Sequence, residues 1–570
     1  MPPRLMATQR VVGMKGSAWT HGLALTLVAA AAAIGLRLAG ITWGLPYTFN
    51  ADEPHLVNLA VSFGAGSLKP YAFKYPTLWP YLLFIGYGLY FLTWSFFGLR
   101  KGVSDFVGLF AWEPGGFFLI ARLLAAAFSL LGVWVLWKAE RERSPKRLPW
   151  AALLLAFSPV LVELSHSAKP DCLMFALACA GWLFAFRSQK EGKLKDHVLC
   201  GLSLGLAVSA QYTAAPALLA LPVAHWTGKG RRQPSRLFLG LAAAAGGFIA
   251  GTPFSVLDPV AVLEGARDHA ALFEMTQWSR AELLRSIWIN IWTFAGAGSI
   301  AAAAALLGLC RLAFRRDPAA VLLAVPVLGY GWLLSNNPDG GWPRYMLAAY
   351  PALALLASEG LAWIEEGRRW RSPALTGVLF LLAAGPGLAQ SALMDRRMSL
   401  PDTRGLSAAW VLAHVPQGSA LLVDEPHASP SVPMAKEQVE ELWRQTTASG
   451  SPRARLYRGM ALAHPGGGYR LYRIRRSARE LHSGPRHVEL SQADSPTVDL
   501  RSGLDPVRAL RISYVITSTF GADPRVSPEL ATFFQELYGS GRLAAVFEPI
   551  PGKVSGPVLR IFQVTKSGRA

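Results

Sequence analysis

The sequence predicts a polytopic α-helical membrane domain over residues 1–392, followed by a soluble α/β domain over 393–570. Three observations carry this expectation. Of 570 residues, 52% are hydrophobic and 16% charged, and long apolar runs recur between residues 19 and 392. Lys and Arg gather in short connections between those runs, as in cytoplasmic loops of membrane proteins. Beyond residue 393 the pattern changes to short apolar strands alternating with helical stretches.

The net charge of +20 fits loops that meet lipid phosphates. No soluble basic module with a nucleic-acid motif accompanies it, so nucleic acid is excluded as a partner and membrane lipids are expected instead. The tail from residue 393 carries 23 Lys/Arg against 16 Asp/Glu, leaving most of the excess on the membrane part. Cys172, Cys179, Cys200 and Cys310 all fall in or beside apolar runs. The tail therefore folds without disulfides. Cys172 and Cys179, seven apart on one helical face, read as packing.

The elements follow in order. Arg4, Arg10 and Lys15 precede an apolar run at 19–41 that is long enough to span. It reads as a retained helix with a cytoplasmic N-terminus, not a cleaved signal. Five connections, 138–147, 187–195, 227–236, 311–316 and 365–371, are basic and are assigned to the cytoplasm. For all five to share a side, the apolar stretch 78–97 must not cross. It contains Pro80, two glycines and many aromatics, an interfacial composition, so 43–115 becomes one long external loop. The stretch 198–226, flanked by basic loops and interrupted by Gln211, Pro216 and Pro222, predicts two short helices that dip in and return. The other spans are expected at 116–137, 148–165, 170–187, 237–256, 287–309, 319–335, 345–364 and 373–393. External loops are then 43–115, 166–169, 257–286 and 336–344, and the tail is external too.

This topology, drawn from basic loops alone, gathers Asp52, Glu53, Lys74, His166, Lys169, Asp171 and Arg344 on one side. An adjacent acidic pair at a membrane face is costly to desolvate, which invites a functional reading. Each residue also has a plain structural reading. The acidic pair suits a solvated helix start, and Asp171 an N-cap, although Pro170 favours an earlier cap. Lys74 and Arg344 suit interfacial anchors, and His166 suits a turn. Phe73, Tyr75, Trp79, Tyr81 and Phe84 read as an interfacial belt.

In the tail, helices are expected at 405–414 and 527–538, strands at 420–423, 469–474, 512–517 and 558–564, and loop at 483–499. This alternation suggests a small α/β domain. It contains no nucleophile triad, zinc spacing or Gly-rich phosphate loop.

The run Gly44-Leu45-Pro46-Tyr47-Thr48-Phe49-Asn50-Ala51-Asp52-Glu53, followed by Lys74-Tyr75-Pro76-Thr77-Leu78, resembles the start of GT-C glycosyltransferases. The nearest groups are the protein O-mannosyltransferases and the lipid A aminoarabinose transferases. Ser165-His166-Ser167-Ala168-Lys169-Pro170-Asp171 resembles their second motif, and the 201–213 and 342–347 stretches also fit. Relatives often carry Lys where this chain has Gln211, which puts a cationic contact there in doubt.

The resemblance implies an inverting transferase that uses a polyprenyl-phosphate sugar donor and a lipid, glycan or protein acceptor. The implied roles suit the residues. Asp52 is the candidate base for the acceptor hydroxyl, and Glu53 orients either the acceptor or Asp52. Lys74, Lys169 and Arg344 offer positive charge to the departing lipid phosphate. Arg122 either snorkels to the same phosphate or pairs with a carboxylate. Asp171 stabilises its helix start, holds His166 or joins the reacting centre. His166 and Tyr75 are accessory candidates. No cofactor is required, while a divalent cation held by Asp52, Glu53 and Asp171 stays open. Ala-, Gly- and Arg-rich composition is compatible with a bacterium, so the inner membrane is the expected location. Two other classes also stay open: a lipid-linked-sugar transporter or flippase, and a noncatalytic assembly protein of envelope glycan synthesis.

Overall fold

The computed structural model describes residues 27–98, 102–145, 147–272, 279–336, 342–366, 373–424, 427–451, 453–474, 495–520 and 528–564. The basic N-terminus, the front of the first span, residues 337–341 and 367–371, and most of the 483–499 loop lie outside them. The chain forms two compact units. The first comprises residues up to Ala39, Lys69–Trp79 and Arg122–Asp395, and the second Gly40–Leu68, Pro80–Ala121 and Arg396–Ala570.

Among the described residues four helices are long and apolar enough to cross a membrane: Gly115–Arg143, Asp171–Glu191, Pro234–Gly251 and Pro343–Glu366. The pair Pro373–Ala383 and Gly385–Met398, bent by 48°, makes a fifth. Shorter apolar helices lie at Leu27–Leu38, Ala301–Phe314 and Ala319–Ser335. Large apolar side chains stay exposed along them, Phe238, Leu241, Leu328 and Leu381 among them, as lipid-facing positions do.

Three expected spans are not single straight helices. The 148–165 span is Trp150–Ala156 followed by Pro159–Ser165, and the 287–309 span is Arg280–Thr293 and Ala301–Phe314. The third is the bent pair. Backbone groups freed at these breaks find partners at one another. Ser158 Oγ donates to the Phe294 carbonyl (2.6 Å) and Ser391 Oγ to that of Phe157 (3.1 Å). Ser299 Oγ donates to the Ala383 carbonyl (2.5 Å), and the Ile300 N–H to Leu382 (3.2 Å). Mutual satisfaction of this kind is what permits broken helices at membrane depth. Apolar periodicity carries no trace of it.

The 198–226 stretch is a helix Leu194–Ala210, a 3₁₀ segment Tyr212–Leu219 and a helix Ala220–Thr227. It begins four residues earlier than expected. His197 Nε2 lies 3.1 Å from His225 Nδ1, so entry and exit share one face, and the chain dips and returns. The first half, of 17 residues, is about 25 Å long.

The basic connections meet at one face of this unit. Arg143 pairs with Asp317 (2.8 Å) and Glu359 (3.1 Å), and Arg147 with Glu359 (3.0 Å) and Glu366 (2.7 Å). Arg187 pairs with Glu142, Arg236 donates to the Gly192 carbonyl, and Gln189 donates to Thr227 Oγ1 (2.7 Å). Loops read as sharing a side from charge alone are thus tied together.

The second unit holds a six-stranded sheet in the order β3-β2-β1-β4-β6-β5. The strands are β1 (Ala420–Val423), β2 (Arg470–Ile474), β3 (Thr497–Val498), β4 (Tyr514–Ser518), β5 (Arg542–Phe547) and β6 (Leu559–Gln563). Strands β3, β2, β1 and β4 are parallel, and β6 and β5 add antiparallel. Alternation sends Leu421 and Val423 to one core with Val439, Met460, Leu471 and Ile516, and Leu422 to the other with Val515, Phe533 and Phe562. The stretch expected as loop at 483–499 contains β3, paired through Arg473 and Thr497. From the long loop, the helix Val103–Trp112 packs onto this domain, with Trp112 Nε1 donating to the Met460 carbonyl (3.1 Å). The stretch 78–97 is one continuous helix, Leu78–Phe96. Ile85, Leu89, Leu92 and Phe96 form an exposed apolar stripe along it.

Candidate active site

Asp52 and Glu53 belong to the second unit. The loop that carries them is tightly constructed. Gly44 has φ +76°, and a Cβ there would lie 2.8 Å from the Phe49 ring, so the turn that lets Phe49 fold back needs glycine. The Leu45–Pro46 peptide is cis. Pro46 seats on Gly115, where a Cβ would come within 3.2 Å of the Pro46 Cα. The Thr48 hydroxyl donates to the Glu53 carboxylate and accepts from the Asn50 N–H (3.1 Å). Asn50 Oδ1 in turn accepts from the Asp52 N–H (3.0 Å). Glu53 is fully buried and opens the helix Glu53–Ser62, while Asp52 is half-buried at the N-cap position. The pair thus stands at a helix start, as one reading of the sequence expects, and the Asp52 side chain makes no capping hydrogen bond there. Burial and the Glu113 carboxylate push the neighbouring Tyr47 phenol up, which keeps it a neutral donor.

The cationic candidates Lys74, Lys169, Arg344 and Arg122 belong to the first unit, with Asp171, His166 and Tyr75. Trp79 Nε1 donates to the Ala168 carbonyl (3.1 Å), which ties the Lys74–Trp79 segment to the Ser165–Asp171 turn. Thr77 Oγ1 donates to the Gly251 carbonyl (2.7 Å) and anchors the other side of that segment. Lys74 is half-buried, its Nζ 6.0 Å from the centroid of the buried Tyr75 ring. Lys169, Asp171 and Arg344 all interact electrostatically with Glu163. Arg344 lies over the Tyr345 ring at 5.1 Å. Asp171 is the first residue of its helix with Pro170 as the cap, so it does not act as the N-cap. Arg122 is fully buried.

His166 is a pin for this turn. Its Nδ1 and Nε2 each sit 2.8 Å from a backbone carbonyl, of Val162 and Ala39, and Asp395 Oδ1 is 3.7 Å away. Burial lowers its pKa, and the two carbonyl contacts oppose that shift by favouring a proton on each ring nitrogen. Gln211 is buried at the end of the Leu194–Ala210 helix and its Oε1 lacks a partner. Among the described residues, no group of three His, Cys, Asp or Glu has the arrangement of a metal site. Glu163 was not singled out from the sequence. The signal was present, as a lone carboxylate in the apolar run Pro159-Val160-Leu161-Val162-Glu163-Leu164.

Chemically, the first unit offers several cations suited to an anionic phosphate. The second offers a carboxylate that its own loop holds in place, suited to accepting a proton.

The family described as dolichyl-phosphate-mannose-protein mannosyltransferase matches residues 115–256. No curated protein matches the sequence. The fold is similar to that of ArnT from Cupriavidus metallidurans in the apo state, with a TM-score of 0.51, 15% identity, and coverage of 96% of this chain and 98% of that one. It is similar also to the same protein bound to undecaprenyl phosphate, with a TM-score of 0.52, 14% identity, and coverage of 96% and 99%. Apolar helices long enough to span, the family match across residues 115–256 and a fold similar to ArnT over nearly the whole chain mark this chain as a multi-pass membrane protein with an ArnT-like fold.

Proposed function

We propose that the protein transfers a sugar, with inversion, from a polyprenyl-phosphate donor to an acceptor hydroxyl on the extracytoplasmic face of the inner membrane. Residues 1–392 form the membrane part and 393–570 the extracytoplasmic domain. Asp52 takes the hydroxyl proton as the acceptor oxygen bonds to the anomeric carbon. The bond from that carbon to the lipid phosphate breaks, and the phosphate leaves as an anion. Lys74, Lys169 and Arg344 stabilise that developing charge, and Glu53 holds the loop that aims Asp52.

The reading rests most on one observation. Three motifs distant in sequence are joined in one compact unit: the Lys74 segment through Trp79 to Ala168, and Lys169, Asp171 and Arg344 around Glu163. Undecaprenyl phosphate, bound by the ArnT structure of similar fold, is a donor-side ligand of the expected chemistry.

Mass spectrometry of surface glycans and lipids, with and without the protein, tests the activity. An unchanged glycan and lipid inventory refutes it. A sharper test concerns donor phosphate. Lys74→Ala is expected to raise the apparent donor KM about tenfold while leaving acceptor KM within twofold, as loss of one charge-assisted contact would. Equal apparent donor affinity removes Lys74 from the phosphate site.

A further inference from the structure

The sheet of the second unit has a topological switch point between β1 and β4. From β1 the parallel connections run outward through β2 to β3, and β4 returns to the other side of β1. In open sheets of this kind the crevice at the carboxyl ends of the two switch-point strands is where ligands bind. Here the chain's own residues occupy it. Arg404, on the helix Thr403–His414, is 3% exposed and reaches the ends of both strands. Its Nη1 donates to the carbonyl of His427, four residues past β1 (2.7 Å), and its Cζ lies 5.8 Å from the ring of Phe520, two residues past β4. Asp402 grips the guanidinium through both oxygens, at 2.8 Å from Nε and 2.8 Å from Nη2. Its Cζ also lies over rings of the acidic loop: 3.8 Å from the Phe49 ring centroid and 5.5 Å from that of Trp43. Phe49 precedes Asn50, whose side chain holds the Asp52 N–H.

We propose that Arg404 is a positioning residue for sugar transfer: it seats the 43–53 loop in the switch-point crevice of the soluble domain and thereby fixes Asp52. The soluble domain is then a cradle for the catalytic loop. The proposal rests on the function assigned above. The geometry suits a guanidinium in particular. A planar fork satisfies Asp402 and the His427 carbonyl at its edge while packing over the Phe49 ring, and an ammonium does only one of these. A shift of about 1 Å in a base that must meet an acceptor hydroxyl costs on the order of 100-fold in rate.

The test uses the full-length protein in detergent with a spin label at Ala51→Cys in a Cys310→Ser background. The label reads loop order whatever the sugar. Transfer is assayed in parallel with a panel of undecaprenyl-phosphate hexoses and aminopentoses. Arg404→Met is expected to sharpen the label's spectrum and to lower kcat by 10- to 100-fold with donor KM within twofold. Arg404→Lys should recover only part of the loss. Phe49→Leu reports the same contact from the loop side without touching the Asp402 pair, and Phe49→Trp should restore both readouts. A wild-type spectrum in both Arg404→Met and Phe49→Leu, or kcat within twofold of wild type in both, overturns the proposal. Absence of transfer by the wild type on every donor defeats the assigned activity instead, and the label spectrum still decides whether Arg404 orders the loop.

Discussion

Replacing Asp52 with Asn is expected to leave a folded, membrane-inserted protein that transfers sugar about 10²- to 10⁴-fold more slowly, the span that general-base catalysis contributes. The substitution keeps size and shape, and removes the negative charge and with it the ability to take a proton. Folding should survive, because the Asp52 side chain makes no capping bond to the Glu53–Ser62 helix, and Asn is an equally good residue at that position. The loop is held by other groups: Asn50 on the Asp52 backbone, Thr48 on Glu53, and Phe49 against Arg404. Donor KM should stay within twofold, because the phosphate-binding candidates lie on other segments. Initial rates with the purified protein and a polyprenyl-phosphate sugar, beside a thermal unfolding scan, decide it. A rate near wild type removes Asp52 from the chemistry. It would also favour the noncatalytic reading, which tolerates loss of the carboxylate.

Some of this arrangement was legible in the sequence because it depends on composition. Basic loops share a side because moving Lys and Arg across a bilayer is costly, and the Arg143, Arg147 and Arg187 ion pairs join those loops in space. The return of the 198–226 stretch followed from the same charges. Strands β1, β2, β4 and β6 followed from short apolar runs between polar stretches. Other features left weak local signals. The breaks at Phe157, 294–300 and Ala384 depend on serines that satisfy carbonyls more than a hundred residues away, or on a neighbouring helix. Strand β3 has two residues and exists through its pairing with Arg473 and Ile474. The amphipathic helix Lys436–Ala448, with Val439, Leu442 and Trp443 turned to the core, had a readable period but lies in a polar stretch. Arg404 had no sequence signature. Its importance comes from Asp402, His427, Phe49 and Phe520 meeting around it.

The second large effect concerns the membrane unit itself. Gly205→Leu is expected to yield little or no stable protein. The helices Leu194–Ala210 and Pro234–Gly251 approach so closely that a Cβ on Gly205 would lie 2.0 Å from the Ala244 carbonyl oxygen, and one on Gly201 1.9 Å from that of Gly240. The obstructing atoms are backbone, so no side chain can turn aside, and the helices must separate. Overpacking commonly costs about 1–3 kcal/mol where side chains can yield, and rigid backbone should place this case at or beyond the upper end. In lipid no hydrophobic force restores the contact, because packing of small residues is itself the attraction. Separation would also reach the candidate site. Ser209 Oγ hydrogen-bonds Thr252 Oγ1 (2.7 Å), and Thr77, three residues from Lys74, is tied to Gly251 (2.7 Å). Gly246→Leu is the control: it adds the same side chain to the partner helix Pro234–Gly251, yet a Cβ there meets no heavy atom within 4 Å. Yield of monodisperse protein and unfolding temperature in detergent compare the two. Equal stability of both variants would mean that the close approach of these helices contributes little to holding the unit together.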